Sequence, residues 1–417
     1  MTVPPSTPPP EETMRPTLST FTFAAIILTP SLHAQTMMSI SALQGDAAPP
    51  PVVFISDAGR EGLFYLSGTG SATDADGATA ILSGNKLYKR SYSGALHAKW
   101  FGLSEASNNN TPAVTAAIGK LKSGQELVID AGQYRFQGAL RLPANKRIRL
   151  TSLGTLLFGP GDGIIIENTH EVYLEKIVGL SWTSDTPDYS TYSGSGVTLL
   201  NASNTNLNAR WVEGFRNGIK VTGDGTAKGS QYNKVQFNFL YQNAVGIYLT
   251  TESTGSLNWV NENTFTGGRI AGETGLRAEK GPNQTDYFNG NKFYNIGFES
   301  LVNGIDVDHF SHNTIIAPRF EQVQHGINLK SNTYSNTIIS SSIYEGSFVG
   351  GGVAGNAGKY TTVLGTLLTA GGMMSGALSI SNEEGKFLSV NRDPSHSANS
   401  ETLGKILSLS NLVNVVP

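Results

Sequence analysis

The chain has 417 residues, no cysteine and a formal net charge of −3. The lack of cysteine excludes disulfides, thiolate catalysis and cysteine-ligated metals, and the slightly acidic balance lacks the basic footprint of a nucleic-acid-binding protein. Ordinary apolar content and 48 glycines predict one large domain, or two to three smaller ones, made mostly of short strands and turns.

Residues 1–34 have the pattern of a secretory leader. Met14 and Arg15 form a small positive segment, residues 21–28 a short apolar core, and residues 32–34 a small-residue cleavage site. The core is much shorter than the ~20 residues that span a bilayer. We therefore expect a secreted or extracellular protein, in the periplasm or at a cell surface, without a membrane span.

Three segments follow the leader before the main repeat begins. Residues 35–52 are low in complexity and are interpreted as a linker. Residues 53–102 alternate apolar and polar positions and predict a small N-terminal β module. Residues 111–122, TPAVTAAIGKLK, predict a helix with Thr111 as its N-cap and Pro112 at its first position.

From about residue 125 a Gly-apolar-x-apolar pattern recurs. Its copies begin at Gly163, Gly196, Gly218, Gly246, Gly275, Gly304 and Gly326. A second strand that opens with asparagine follows most copies, at Asn233, Asn263, Asn291, Asn313 and Asn336. Three short strands per unit of ~22 residues indicate a solenoid, in which stacked coils bury one another's apolar sides.

A leucine-rich repeat would need a helix in each unit, and a β-propeller would need a period of ~40 residues or more. An all-β fold, a parallel β-helix over residues 103–350, fits better. Residues 351–417 predict a β-rich tail that either caps the last coil or mediates self-association.

Three stretches carry a resemblance to a known family: KWFG at 99–102, the TPAVTAAIGKL helix, and IDAGQYRF at 129–136. They resemble the opening of the pectate lyase superfamily of β-helix proteins, which includes relatives of family 28 glycoside hydrolases and phage tailspike depolymerases. The resemblance implies a right-handed, single-stranded parallel β-helix with a capping helix and a preceding β module. It also implies a possible homotrimer, as in tailspikes. Such folds host lyases, hydrolases and inert adhesins, so the reaction stays open.

Outward side chains of the Gly-apolar-x-apolar strand should form files that run along the coils. Arg277 and Glu279 on one coil should then face Asp306 and Asp308 on the next. The aspartates are candidate catalytic acid and base or oxygen ligands for Ca²⁺, the one cofactor considered. Arg277 is a candidate partner for a sugar carboxylate. The alternative is a solvated charge ladder.

A second group of catalytic candidates is Glu299 and Glu321, each five residues before the repeat glycine and each preceded by an aromatic residue. Carboxylates on neighbouring coils need an offsetting charge, which Arg319 can supply. The alternative is that these glutamates hold a corner of the coil.

The remaining candidates are substrate contacts on the same files or on long loops that could wall a groove. Besides Arg319 they are Lys220, Tyr248, Trp259 and Tyr287. The sequence therefore predicts a secreted, carbohydrate-active protein that binds and cleaves an extracellular polysaccharide as a lyase or hydrolase. The alternative is a non-catalytic glycan-binding protein, adhesin or appendage. No metal ligand is assigned.

Overall fold

The architecture is seen in a computed structural model. It describes residues 36–180, 187–225, 227–252, 257–282, 288–330, 332–344, 362–368, 374–381 and 387–391. A small five-stranded sheet comes first and a long, stacked, mostly parallel sheet follows. The predicted leader lies outside the described residues. Within them, no helix combines the length and the apolar content needed to cross a membrane.

The N-terminal module begins earlier than the sequence indicated. Its strands, in spatial order, are Thr36–Met38, Val52–Ile55, Gly62–Thr69, Lys86–Arg90 and Ala80–Ser83. The first strand pairs in parallel with the second, and the helix Ile40–Gly45 joins them and buries Leu43. The stretch interpreted as a linker is thus part of the module, because its few apolar side chains complete the small core.

Arg90 fastens this module to the start of the coil. Its guanidinium lies 4.4 Å from the ring centre of Trp100 and 4.6 Å from that of Phe64, and it donates hydrogen bonds to three backbone carbonyls. Burial lowers the pKa of Arg90 to about 10. Trp100 belongs to the 3-10 helix Ala98–Phe101, which follows the short strand Leu96–His97.

The predicted capping helix is confirmed as Thr111–Lys120. Its N-cap is Asn110 rather than Thr111, because the Thr111 hydroxyl is hydrogen-bonded instead to the backbone of Gln137 and Gly138. Val114, Ala117 and Ile118 are buried and join the main core, so the helix covers the first coil.

The predicted all-β parallel β-helix is confirmed by its own strand pairing. The strands of the coil are Glu126–Ile129, Gln133–Phe136, Leu140–Leu142, Arg149–Phe158, Ile164–Glu167, Glu171–Gly179, Ser195–Leu200, Asn206–Glu213, Asn217–Gly223, Lys228–Gln231, Lys234–Thr251, Asn258–Asn261, Thr264–Glu279, Phe288–Asn289, Lys292–Tyr294, Gly297–Val307, Phe310–Ser311, Thr314–Ile316, Arg319–Leu329 and Thr337–Tyr344. A 3-10 helix, Tyr189–Thr191, interrupts them.

The coil presents three main faces, named here by their characteristic residues. The Asn face follows the repeat asparagines (for example 234–237 and 264–267), the Glu face comes next (211–213, 239–241, 269–271, 297–299 and 319–321), and the Gly face carries the Gly-apolar repeat (217–223, 245–251, 274–279, 303–307 and 325–329). Along the Gly face, Ile247, Leu276, Ile305 and Ile327 are consecutive register partners, as predicted.

The repeat glycine has a steric cause. A Cβ atom on Gly275 would overlap the Phe298 ring and the carbonyl of Gly304, and one on Gly246 would overlap Ile270. At this corner the backbone passes directly over the inward side chain that the next coil contributes from its Glu face. Only glycine leaves room for that side chain.

The repeat asparagines form a buried ladder, which we call the asparagine ladder. The Asn233 side-chain amide donates to Asn263 Oδ1 at 2.8 Å and to the Ala202 carbonyl at 2.8 Å. The amide of Asn263 repeats the pattern to Asn291 at 3.0 Å. Asn291, Asn313 and Asn336 continue it. Because these amides are buried, each unpaired one would be costly, and the ladder pairs coil with coil.

After the last coil, Thr362–Leu368 pairs in parallel with Thr337–Tyr344. Met374–Ser381 and Phe387–Asn391 then add antiparallel strands. The division of the chain into domains at residues 102 and 350 stays a prediction.

Candidate functional site

The Gly face brings together part of the first predicted group. Lys220, Tyr248, Arg277, Asp306 and Asn328 are successive register partners on five coils. The outward file that the sequence predicts is therefore present.

Asp306 is the best-held residue of this file. It is only 5% exposed, and its two oxygens accept from Asn328 Nδ2 and Lys330 Nζ, each at 2.7 Å. Arg277 Nε lies 3.8 Å from Asp306 Oδ2, too far for a hydrogen bond. Both carboxylate oxygens of Asp306 are therefore occupied, and they hold the side chains of Asn328 and Lys330 in position.

The second edge of the predicted square lies where the strand pairing ends, although the backbone N–H of Asp308 still donates to the Ala278 carbonyl at 2.8 Å. Glu279 is exposed and pairs in register with Thr250. The strand Gly297–Val307 ends just before Asp308, whose Oδ1 lies 3.1 Å from His309 Nδ1. Among the described residues, no group of three His, Asp or Glu side chains is placed to hold a metal ion, so the Ca²⁺ hypothesis gains no support there.

The predicted substrate contacts are spread over several places. Lys220 forms an ion pair with Glu252. Trp259 lies on a short separate strand, where its Nε1 donates to Gln231 Oε1 at 3.0 Å, so it is not part of the Glu face. Tyr287 lies outside the described residues.

The Glu face does assemble the second predicted group, which we call the Glu299 cluster: Arg269, Glu299, Arg319 and Glu321. Glu299 and Glu321 are register partners on adjacent coils. The Glu299 side chain is only 9% exposed, between Arg269 Nε at 2.7 Å and Arg319 Nη2. Arg319 Nη1 lies 3.5 Å from Glu321, whose side chain is 47% exposed.

Sequence reasoning missed Arg269. The coil of Arg269 is one residue shorter at the corner, since two residues lie between Ala271 and Thr274 where three lie between their partners Glu299 and Asn303. Counting back from the repeat glycine therefore misplaces Arg269 by one position. Only the strand pairing reveals its place in the cluster.

An aromatic strip continues the Glu face on the preceding coils. Ring centres of Trp211 and Phe239 are 4.7 Å apart, and those of Trp211 and Tyr241 are 6.0 Å apart. Lys176 Nζ lies 4.9 Å over the Trp211 ring and 3.0 Å from Glu213. The sequence predicts aromatic substrate contacts near loops, whereas these aromatic residues lie at outward positions of strands.

A loop overhangs the edge of the aromatic strip. Tyr189 stands in the 3-10 helix, with its ring 5.4 Å from that of Tyr192 in an edge-on contact. Burial, together with the nearby Tyr192, Glu273 and Tyr241, raises the pKa of Tyr189 to about 12. The 3-10 helix thus lies close to the strand Lys234–Thr251, which carries Tyr241.

A groove of about 740 Å³ lies across the corner that leads from the Asn face to the Glu face, and it is lined by Phe239 of the aromatic strip, by Arg269 and Arg319 of the Glu299 cluster, and by Gly297. Gly267 and Gly268 also line it. A Cβ atom on either would overlap the preceding coil, so these positions stay free of side chains. The groove can accept an extended ligand that meets aromatic edges at one end and charged groups at the other.

Comparisons with known proteins give structural likeness only. No protein-family model matches the chain, and no curated protein matches it. Tailspike protein 2 of Escherichia coli O157:H7 bacteriophage CAB120 is similar over 75% of this chain and 47% of its own, with 14% identity and a TM-score of 0.37.

Two other solved structures are similar. The phiAB6 tailspike, solved with oligosaccharides of Acinetobacter baumannii surface polysaccharide, matches 88% of this chain and 71% of its own (13% identity, TM-score 0.41). PfbA, a surface adhesin of Streptococcus pneumoniae, matches 72% and 99% (10% identity, TM-score 0.33). This chain spans about half the length of the two CBA120 tailspike protein 2 structures. The fold assignment rests on the strand pairing described above.

Proposed function

We propose that this protein is a secreted, carbohydrate-active enzyme that binds an extended polysaccharide across the Glu face and hydrolyses it there. One observation carries the proposal. Glu299 and Glu321 stand on adjacent coils, and Glu299 is paired with Arg269 and Arg319, which line a groove together with Phe239 of the aromatic strip. Aromatic side chains suit the apolar faces of sugars, and paired carboxylates suit the cleavage of glycosidic bonds.

The spacing of the coils favours retention of configuration. Register partners on neighbouring strands lie about 4.8 Å apart, and retaining glycosidases hold their two carboxyl groups about 5–5.5 Å apart. Glu299, held by two arginines, is assigned as the nucleophile. Glu321 is half exposed and can exchange protons with solvent, so it is assigned as the acid and base.

A specific observation favours a second function, glycan binding without cleavage. Both oxygens of Glu299 are already engaged, one by each arginine. If these ion pairs persist with a sugar bound, Glu299 only shapes the groove. The protein then acts as a binding module or adhesin.

The test is a cleavage assay on acidic and neutral polysaccharides with wild type, Glu299→Gln, Glu321→Gln and the matched control Glu262→Gln, an exposed glutamate on another part of the coil. We expect each site variant to lose about 100-fold or more in rate and the control to lose none. Full activity in both site variants would refute the assignment. Binding without cleavage by wild type would establish the second function. An unsaturated uronate product would show that the enzyme cleaves by elimination, as a lyase, rather than by hydrolysis.

Asp306 and Asp308 on the Gly face are the competing candidates for the catalytic carboxylates. In the same assay Asp306→Asn with Asp308→Asn should leave cleavage within a few fold of wild type, because the register partners of Asp306 on the adjacent coils are Arg277 and Asn328 rather than a second carboxylate. Loss of cleavage in that double variant alone would move the active site to the Gly face.

A further inference from the structure

A second cleft lies far along the chain from the Glu face, between the N-terminal module and the end of the capping helix. Its volume is about 570 Å³. The residues that matter for its chemistry are Tyr65, Lys89, Tyr92, Lys120, Lys122 and Gln125. They come from two strands of the module, the segment after it, the last turn of the helix and the turn that follows.

Three lysines converge on this cleft, which Asp74 and Asp76 also line. The Asp74 carboxylate accepts from the backbone N–H and the hydroxyl of Ser71. Lys120 Nζ lies 3.6 Å from Asp76. The Asp76 carboxylate already accepts from the backbone amides of Ala78, Thr79 and Ala80 and from the Thr79 hydroxyl. No acid among the described residues lies within 4.0 Å of the amino group of Lys89 or Lys122. The cleft therefore offers a positive potential to an anion.

Two tyrosines flank the lysines. Tyr65 is 43% exposed and Tyr92 41% exposed, and Tyr65 is the register partner of Lys89. Tyr92 packs edge-on against Trp100, with ring centres 5.3 Å apart. Gln125 Oε1 accepts from the backbone N–H of Lys122 at 2.7 Å, which fixes the turn. The Tyr92 ring and the backbone turn that carries Lys122 are thus held in place before a ligand arrives.

We propose that this cleft is an accessory binding site for an acidic sugar, meaning a saccharide ring that carries a carboxylate, sulfate or phosphate group. The ammonium groups of Lys89 and Lys122 meet the anion, and the tyrosine rings cover the apolar face of the sugar. The site does not depend on cleavage at the Glu face. It would hold the chain on an acidic polymer through the module while the coil stays free for its own ligand.

The experiment is calorimetric titration of the full chain with tetragalacturonate and with a sulfated chondroitin tetrasaccharide, using neutral maltotetraose as the reference. We expect wild type to bind at least one acidic probe and to bind maltotetraose more weakly. Lys89→Gln with Lys122→Gln should weaken binding of that probe roughly tenfold or more. The matched control Lys292→Gln, an exposed lysine on the Asn face, should bind as wild type does, and thermal melting should show all variants folded.

Two results would overturn the proposal: binding of neither acidic probe by wild type, or unchanged affinity in the double lysine variant. Tyr65→Ala tests the sugar itself. This change should weaken binding of the acidic tetrasaccharide and leave binding of inorganic sulfate unaffected. If wild type bound inorganic sulfate as tightly as the tetrasaccharide, that result would contradict a saccharide site. Failure at the Glu face is read from the cleavage assay and failure here from the calorimetry, so the two remain distinguishable.

Discussion

Along the asparagine ladder the same residue returns on five coils, whereas along the Glu face the outward residue changes from coil to coil, except that Glu299 is followed by Glu321. Asn233 and Asn263 make the same two kinds of hydrogen bond, one to the next asparagine and one to a backbone carbonyl. On the Glu face Phe239, Arg269 and Gly297 occupy one file. The repeated buried asparagines hold the coils in register. The varied outward residues of the Glu face make its chemistry differ from one coil to another. Inner changes should therefore affect stability, and outer changes should affect binding and catalysis.

The largest effect should come from breaking the asparagine ladder. Asn263→Leu removes the acceptor that the backbone N–H and the side-chain amide of Asn233 share, and it removes the side-chain donor to the Ser230 carbonyl inside the core. Each buried polar group left unpaired costs about 1–3 kcal/mol, so the free energy of unfolding should fall by roughly 3–6 kcal/mol in denaturant titration. Gln236→Leu, exposed on the Asn face, is the control. A loss below about 1 kcal/mol would mean that the ladder does not hold the coils together.

A smaller effect should follow from filling the corner of the Gly face. Gly275→Ala forces a methyl group into the Phe298 ring, and overpacking of this kind costs about 1–3 kcal/mol. Gly119→Ala is the matched change, because it lies inside the capping helix with open space around its Cβ position. It should raise stability by about 0.5–1 kcal/mol. Equal effects of the two changes on the melting temperature would contradict the steric account.

The ladder should also carry a pH dependence at its N-terminal end. There His170 precedes Thr205 and Asn233: its backbone N–H donates to Thr205 Oγ1, and its ring bonds to Ile148 N–H and to the Glu167 carbonyl. Burial lowers the pKa of His170 below its usual 6.5, so the unfolded chain takes up the proton first. The contribution to stability is fully present above pH 6.5 and is lost as the pH falls through the folded-state pKa.

The variant His170→Asn, which places a ladder residue there, should show a weaker loss of stability on acidification from pH 7 to 5. Melting temperatures of the two proteins at each pH measure the difference. Parallel curves would show that His170 does not titrate on unfolding.

The smallest effect on stability should come from the Glu face. Glu321 is half exposed, and exposed ion pairs contribute about 0–1 kcal/mol. Glu321→Gln should therefore unfold within about 1 kcal/mol of wild type and still lose cleavage. A large loss of stability would place Glu321 with the structural residues instead.

Much of the fold could be predicted because the repeat has a physical cause. The clash that excludes any side chain at Gly275 also fixes the spacing of the pattern, so the pattern locates the Gly face and its inward apolar file. The sequence predicted that each of these asparagines opens a strand, but it did not predict the hydrogen bonds between them. Those depend on a left-handed residue just before each asparagine, such as Tyr232 or Glu262.

The candidate site could be predicted only in part. Glu299, Glu321 and Arg319 lie on coils of equal length, so counting from the glycine aligned them correctly. Arg269 escaped because its coil is shorter at the corner. The aromatic strip escaped because Trp211 stands three coils away from Glu299 in the stack, and no local pattern links the two.

The proposed site depends on Glu299 and Glu321, which are 22 residues apart in the chain and are neighbours on the Glu face. The chain has no cysteine, so Glu299→Cys with Glu321→Cys introduces a single thiol pair, and strand neighbours lie within the Cα separation of about 4.4–6.8 Å that a disulfide needs. Mass spectrometry after mild oxidation should find this pair cross-linked within one chain. The control is Glu299→Cys with Asp306→Cys, which places the second thiol on the Gly face and should keep both thiols free. Free thiols in the first variant, or a cross-link only in the second, would contradict the account.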